Sequence, residues 1–232
     1  MHHIKVEMNI TFTGKWHSGS GEGGFFVDRL LRQDSHKRPY IPASTLRGVL
    51  REQCEKLTKV LGLQECTDPH SISSAGHYPF HKLLSPVDQL FGTKYCQSDL
   101  YFQDAKMDYE PFYPAMNISR CSISRALRSA RQKHLFQTEY ANKAVLKTSI
   151  RGWHRDLTVL EQDFLPLHYI ILLLGLQSIE RLGGDKSTGK GNCQVNILEI
   201  VYNQQVLTWD GIENGIMEIL ELWDEYKEQE GL

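Results

Sequence analysis

The chain has 232 residues, 41% apolar and 23% charged, with a net charge of −2. That suffices for one cored domain with insertions or one domain plus a small appendage, and no apolar window reaches a membrane span: the richest, Leu165–Leu176, is short and contains His168. Five scattered cysteines argue against a disulfide framework, and the start, Met1-His-His-Ile-Lys5, lacks a signal peptide's apolar stretch, so a cytoplasmic protein with no membrane partner is expected.

Charge is unevenly spread. Residues 203–232 carry eight acids against one lysine, so residues 1–202 hold the compensating positive excess. That excess concentrates in 117–155, where nine Arg and Lys face the single Glu139, and it suits a polyanion partner; a solvated face balanced by the acidic tail is the alternative.

In chain order, Ile4, Val6, Met8, Ile10 and Phe12 alternate with Lys5, Glu7, Asn9 and Thr11, the period of a strand with one buried face. Residues 14–24 are too glycine-rich for regular structure, and Asp28 and Asp34 follow in a loop beside Arg29, Arg32 and His36. Pro42 ends the extended chain and Ser44 is a good N-cap for a helix whose stripe is Leu46, Val49, Leu50, Cys54, Leu57 and Leu61. Arg47 and Arg51 stack one turn apart near its start. Cations there oppose the macrodipole unless a phosphate shares the end, and two solvated arginines are an equal alternative.

Residues 64–82 break the pattern. Cys66-x3-His70-x6-His77-x3-His81 pairs its ligands at short spacings that suit a structural zinc, with ordinary loop histidines as the alternative. Leu90-Phe-Gly92 and a short strand at Leu100–Ala105 come next. The basic segment 117–155 interleaves Ile118, Ile123, Leu127, Leu135, Phe136 and Tyr140 with its arginines, a mixture suited to bases as well as phosphates, and its pattern does not determine its secondary structure.

Phe164 to Leu182 is apolar nearly all round and reads as a buried helix. After it, Gly183-Gly-Asp-Lys-Ser-Thr-Gly-Lys-Gly191 offers freed backbone amides and two lysines to an anion. Gly184, Gly189 and Lys190 match nucleotide-binding P-loop spacing, but Gly191 stands where that loop needs Ser or Thr, and the flanking order is helix to strand. Gly183 sits where a helix C′ glycine belongs, which accounts for one of the four glycines. Val195 and Ile197 mark a closing strand, and Asp210–Tyr226 an acidic amphipathic helix. Leaving out insertions at about 62–88 and 106–160, residues 1–202 run strand, helix, strands, helix, strand. This is the order of an α+β, ferredoxin-like (RRM-like) split β-α-β core, with 203–232 as an acidic helical extension.

Four stretches carry a resemblance: His17-Ser-Gly-Ser-Gly21, Pro39–Arg51, Leu90-Phe-Gly92 with Leu100–Ala105, and the glycine loop running into Gln194-Val195. In this order they resemble the RAMP superfamily of CRISPR-associated proteins, above all the backbone subunit repeated along the RNA-guided effector complexes of type III systems. The resemblance implies that Ser44, Thr45, Arg47 and Arg51 hold guide-RNA phosphates together with Gly183, Gly184, Lys186, Ser187, Gly189 and Lys190. It implies a thumb in the basic segment, with Arg120 and Arg125, wedged into the guide–target duplex. It further implies an endoribonuclease of antiviral defence in which Asp28, or as second choice Asp34, cuts target RNA with Mg²⁺ or another divalent metal. The implied partners are guide RNA, target RNA, other effector subunits and copies of itself or homologues. RNA supplies its own nucleophile in the 2′-hydroxyl, so one carboxylate as base or metal ligand is reasonable chemistry. Two alternatives stay open: a catalytically inert structural RNA-binding subunit, and a guide-precursor-processing endoribonuclease using His17 or His36 as base.

Overall fold

In chain order the elements are β1 (His2–Phe12), α1 (Ala43–Val60), α2 (Pro86–Phe91), β2 (Leu100–Phe102), β3 (Met116–Ser124), β4 (Ser129–Tyr140), β5 (Ala144–His154), α3 (Leu167–Gln177), β6 (Cys193–Tyr202), β7 (Gln205–Leu207) and α4 (Trp209–Glu221). This computed structural model describes residues 1–63, 84–93, 96–107, 115–155, 157, 159, 165–221 and 223. The zinc candidates Cys66, His70, His77 and His81 lie outside the described residues.

The alternation in β1 places it at the centre of a five-stranded antiparallel sheet ordered β2-β5-β1-β6-β7. Its even-numbered residues from Ile4 to Phe12 are buried and its odd ones half-buried. β5 lies between β1 and β2, and β1 between β5 and β6, so each β-α-β unit is split by a strand of the other.

α1 and α3 pack on each other above the buried face. Leu46, Leu50, Cys54 and Thr58 form the buried stripe of α1, at the i, i+4 spacing that faces one direction on a helix. Gly175 of α3 allows the close approach, since a Cβ there would lie 2.7 Å from the Cys54 sulfur. Each fully buried Leu or Ile in this layer contributes about 1.5–3 kcal/mol. α4 turns Ile212, Ile216 and Ile219 into the same core, and Trp223 Nε1 donates to the Leu61 carbonyl at 2.9 Å, so the acidic tail packs on the domain. Among the described residues no helix is long and apolar enough to cross a membrane.

Three expectations change. α3 ends at Gln177, capped by Ser178, whose hydroxyl donates to the Leu174 carbonyl; Gly183 is therefore no helix cap. Ser44 is not the N-cap of α1: Pro42 holds that position, and the Asp104 carboxylate accepts from the Ala43 amide at 2.9 Å. The stretch 106–160 is not a single insertion, because β5 pairs with β1 along its whole length. What leaves the sheet is the β3–β4 ribbon, whose strands pair with each other and, at the root, with Arg29 through Thr138.

Candidate nucleic-acid interface

Phe12, the last residue of β1, pairs with Ala144 on one side and Cys193 on the other. One end of the sheet therefore gathers the loop after β1, the base of the β3–β4 ribbon and the 183–191 loop before β6. The start of α1 is tied to the same end by the bridge from Ile41 to Ala105.

The glycines of 183–191 serve close packing. A Cβ on Gly183 would lie 2.4 Å from the His17 carbonyl oxygen, and one on Gly191 2.1 Å from that of Leu182, both with positive φ. The expected amide cradle is largely spent inside the protein. The amides of Gly184 and Gly191 donate to His17 and Lys15, and those of Thr188, Gly189 and Lys190 to carbonyls within the loop. Side chains, more than backbone, are left to hold an anion here.

At the centre stands Asp185, which sequence reasoning missed. Its carboxylate accepts from Arg29 at 3.1 Å and from the Tyr140 hydroxyl, and lies 3.5 Å from Arg120. Burial opposes ionisation, yet the Tyr140 hydroxyl and the Arg29 and Arg120 cations outweigh it and hold Asp185 below the ordinary carboxylate range. Burial and the same carboxylate push Tyr140 up to about 12. Arg120 sits 5.4 Å and Lys190 5.9 Å from the Tyr140 ring centroid, so the aromatic face gathers two cations beside the loop. Asp185 was legible only as an acid among lysines; its partners come from residues 29, 120 and 140.

Against this network opens a cavity of about 430 Å³ lined by His17, Glu22, Asp28, Arg29, Leu30 and Gly184. Asp28 is exposed, and one of its carboxylate oxygens accepts from the Gln137 amide at 2.6 Å, which fixes it to β4 at the root of the ribbon. His17 Nδ1 donates to the Glu139 carbonyl at 2.7 Å, so in the neutral ring Nε2 is the basic nitrogen. Burial lowers its pKa and keeps it neutral, although the Glu139 bond pulls the other way. Phe25 and Phe26, 95% and 81% exposed, stand on the same loop and were also overlooked.

Asp34 is placed differently. It accepts from the His36 and Arg38 amides and the Arg38 guanidinium. Burial works against ionisation, but those bonds lower its pKa; its carboxylate serves to close a turn.

Of the remaining expected residues, Lys186, Ser187 and Lys190 lie on the loop, Lys186 within electrostatic reach of Glu52 on α1. Ser44, Gly48 and Glu52 form the exposed stripe of α1, with Thr45 half-buried beside it. Arg125 lies in the turn at the far tip of the ribbon, away from Arg120. Arg47 and Arg51 do not join the loop. Arg47 donates to the Phe91 carbonyl at 2.5 Å, and Arg51 to the Gly92 carbonyl at 3.0 Å and the Asp88 carboxylate at 3.3 Å. They bind the C-terminal carbonyls of α2, where cations are favoured, and the N-terminus of α1 already holds the Asp104 carboxylate.

The ribbon is exposed over its outer half. Between the pairs Cys121–Leu135 and Ile123–Ala130, β4 carries extra residues that bulge Arg131, Lys133 and His134 outward, with Lys133 at φ 59°. An isolated two-stranded ribbon is marginal in water. It is rooted by Trp16, which bridges to Ala141 and whose indole donates to the Asn142 carbonyl.

A divalent metal at Asp28 would find Glu22 as the other carboxylate lining the cavity. Among the described residues no group of three or more His, Cys, Asp or Glu is disposed to hold a metal ion. The donor set fits a Mg²⁺ that takes its remaining ligands from phosphate and water.

Comparison with curated protein sequences gives no match. Among solved structures, the fold is similar to a chain of the type III-B Cmr-beta complex bound to cognate target RNA, determined by cryo-electron microscopy, with a TM-score of 0.57 and 16% identity. The likeness covers 89% of this chain and 61% of that one, so the present chain spans less than two thirds of its neighbour. A family model of the RAMP superfamily matches residues 9–194, and the chain belongs to that superfamily.

Proposed function

We propose that this chain is a guide-RNA-binding backbone subunit of a type III CRISPR effector complex and that Asp28 cuts target RNA paired to the guide. The observation that carries the reading is the geometry around Asp28: exposed on a cavity wall, pinned by the Gln137 amide at the ribbon's root, and next in the chain to Arg29, whose guanidinium reaches Asp185 on the 183–191 loop. Superfamily membership and the fold shared with a chain of an RNA-bound Cmr-beta complex support it. The strand order β2-β5-β1-β6 with α1 and α3 supports reading the core as ferredoxin-like, and the ribbon with Arg120 and Arg125 as its thumb.

In this reading Arg29, Arg120 and Lys190 attract phosphates, while Lys186, Ser187 and the exposed start of α1 at Ser44 border the strand's path. Phe25 and Phe26 are placed to meet a base displaced by the ribbon. The 2′-oxygen of the nucleotide at Asp28 attacks the adjacent phosphorus. The 2′-proton passes to the carboxylate oxygen not held by Gln137, the P–O5′ bond breaks, and the 5′-oxygen takes a proton from water, to which Asp28 returns the one it received. The products are a 2′,3′-cyclic phosphate and a 5′-hydroxyl, and DNA is not cut. When bound, Mg²⁺ would supply charge neutralisation at the phosphate, held by Asp28 with Glu22.

Asp28→Ala in a reconstituted complex tests this. Cleavage at the paired positions is expected to fall at least about 10²-fold, with guide and target binding intact. Unchanged cleavage would leave an RNA-binding structural subunit. Cutting of free precursor RNA by the chain alone, lost in His17→Ala, would favour guide processing instead.

A further inference from the structure

The second face of the sheet carries its own chemistry. Odd-numbered residues of β1 and β5 project from it. Where β2 joins β5 it bears Tyr101 and Trp153, 54% and 38% exposed, on a sheet whose other face buries Ile4, Val6 and Ile150 completely. His3, paired across strands with Trp153, braces the indole with ring centroids 5.0 Å apart, and Tyr101 meets it edge-on at 5.5 Å. Arg151 is the cross-strand partner of both Lys5 and Tyr101, and Arg155 follows Trp153 two residues on; both arginines are exposed. The acids of this face sit to the other side, where Glu7 pairs across strands with Glu199 and takes Lys5 at 2.5 Å. The β2–β5 half is thus aromatic and basic, the β1–β6 half acidic.

Trp153 also forms part of the wall of a cavity of about 490 Å³, distant from Asp28, lined further by Gln89, Gln97, Asp99, His154 and Arg155. His154 is buried, and among the described residues its Nε2 has no hydrogen-bond partner. Gln97 and Arg155, beside the braced indole, are groups that can meet the edge of a base and its phosphate, whereas the Gln89 carboxamide is already bonded to His168 and to the Leu84 carbonyl. The volume lies in the range of pockets that take small organic ligands.

We propose that this half-face and cavity form a second site for single-stranded nucleic acid. Bases stack on Tyr101 and Trp153, phosphates lie along Arg151 and Arg155, and one base enters the cavity. This site stands apart from the Asp28 end and does not rest on cleavage there. Rings held on a rigid strand lose little freedom on binding. Sequence preference should be weak, because stacking tolerates every base.

The test is titration of the full-length chain with a twelve-nucleotide oligouridylate, following tryptophan fluorescence and affinity together. Quenching is expected in the native chain. Trp153→Phe should lose most of the quenching while keeping affinity within about threefold, because Phe still stacks. Trp153→Ala should weaken binding about five- to 150-fold. Arg151→Gln should lower the slope of log affinity against log salt by about 0.7. Full quenching in Trp153→Phe, or an unchanged salt slope in Arg151→Gln, overturns the proposal. So does a Tyr101→Ala/Trp153→Ala chain that folds and binds the oligomer normally but fails to join other subunits, which would give the surface to a protein partner.

Discussion

The two ends of the sheet use polar side chains in opposite ways. Around Asp185 they are half-exposed and kept charged, with one carboxylate shared by Arg29, Arg120 and a tyrosine hydroxyl. Beneath the far end they are buried and kept neutral. Burial pushes His168 down to about 4, with the nearby His154 and His2 adding to the effect, lowers His154, and raises Tyr169. The first arrangement keeps charge available to a ligand; the second makes folding depend on pH and on packing. Arginine shows the same division, since Arg120 stays beside the loop while Arg47 and Arg51 are consumed by α2.

The largest expected effect tests whether the glycine loop is built for packing. Gly191→Ala would drive a Cβ to 2.1 Å from the Leu182 carbonyl oxygen at φ 77°, whereas Gly189→Ala at φ 76° meets nothing within 4 Å. Urea unfolding should show a loss of about 3–5 kcal/mol for the first and about 1 kcal/mol for the second. Equal losses would mean that backbone conformation alone matters.

Arg51→Ala comes next. It leaves the Asp88 carboxylate, 1% exposed, without this cation and should cost about 3 kcal/mol of stability. Arg120→Ala, at a half-open site, should cost about 0.5 kcal/mol in the same assay. A reversed order would break the contrast between an arginine engaged with a buried carboxylate and one at a half-open site.

The far end also predicts an acid slope. Between pH 6.5 and about 4 the unfolded chain protonates His168 while the folded chain does not. The unfolded state then binds more protons, so stability falls as pH drops, by about 2–3 kcal/mol across that window. His168→Gln should flatten this part of the curve.

The loop end responds lower. Asp185 has a folded pKa below its ordinary 3.8, so its contribution is full above that pH and is lost as pH falls through the folded value. Asp185→Asn should remove about 1 kcal/mol at pH 7 and nothing at the acid extreme, read from urea midpoints.

Much of this was visible in the chain. β1 and α1 announced themselves because a strand or helix with one buried face must repeat at two or 3.6 residues. The β3–β4 ribbon could not, since no residue in its outer half is buried and no apolar face is there to set a repeat. The glycine loop was visible as a special place, but its glycines answer to the carbonyls of His17 and Leu182, one of them far off in sequence. The contacts of Arg47 and Arg51 were hidden for the same reason: their partners, Asp88, Phe91 and Gly92, lie some forty residues away. Asp28 could be singled out from its place in the chain, whereas the Gln137 amide that fixes it comes from a strand whose pairing the pattern did not disclose.

The central claim is that nucleic acid is held at the loop end by side chains around Asp185, and not by the arginines of α1. It is tested most directly by the salt dependence of single-stranded RNA binding to the full-length chain, measured for Arg120→Ala and for Arg51→Gln at a temperature where both are folded. The account predicts a slope reduced by about 0.7 in Arg120→Ala and unchanged in Arg51→Gln. A slope reduced in Arg51→Gln and unchanged in Arg120→Ala would contradict it.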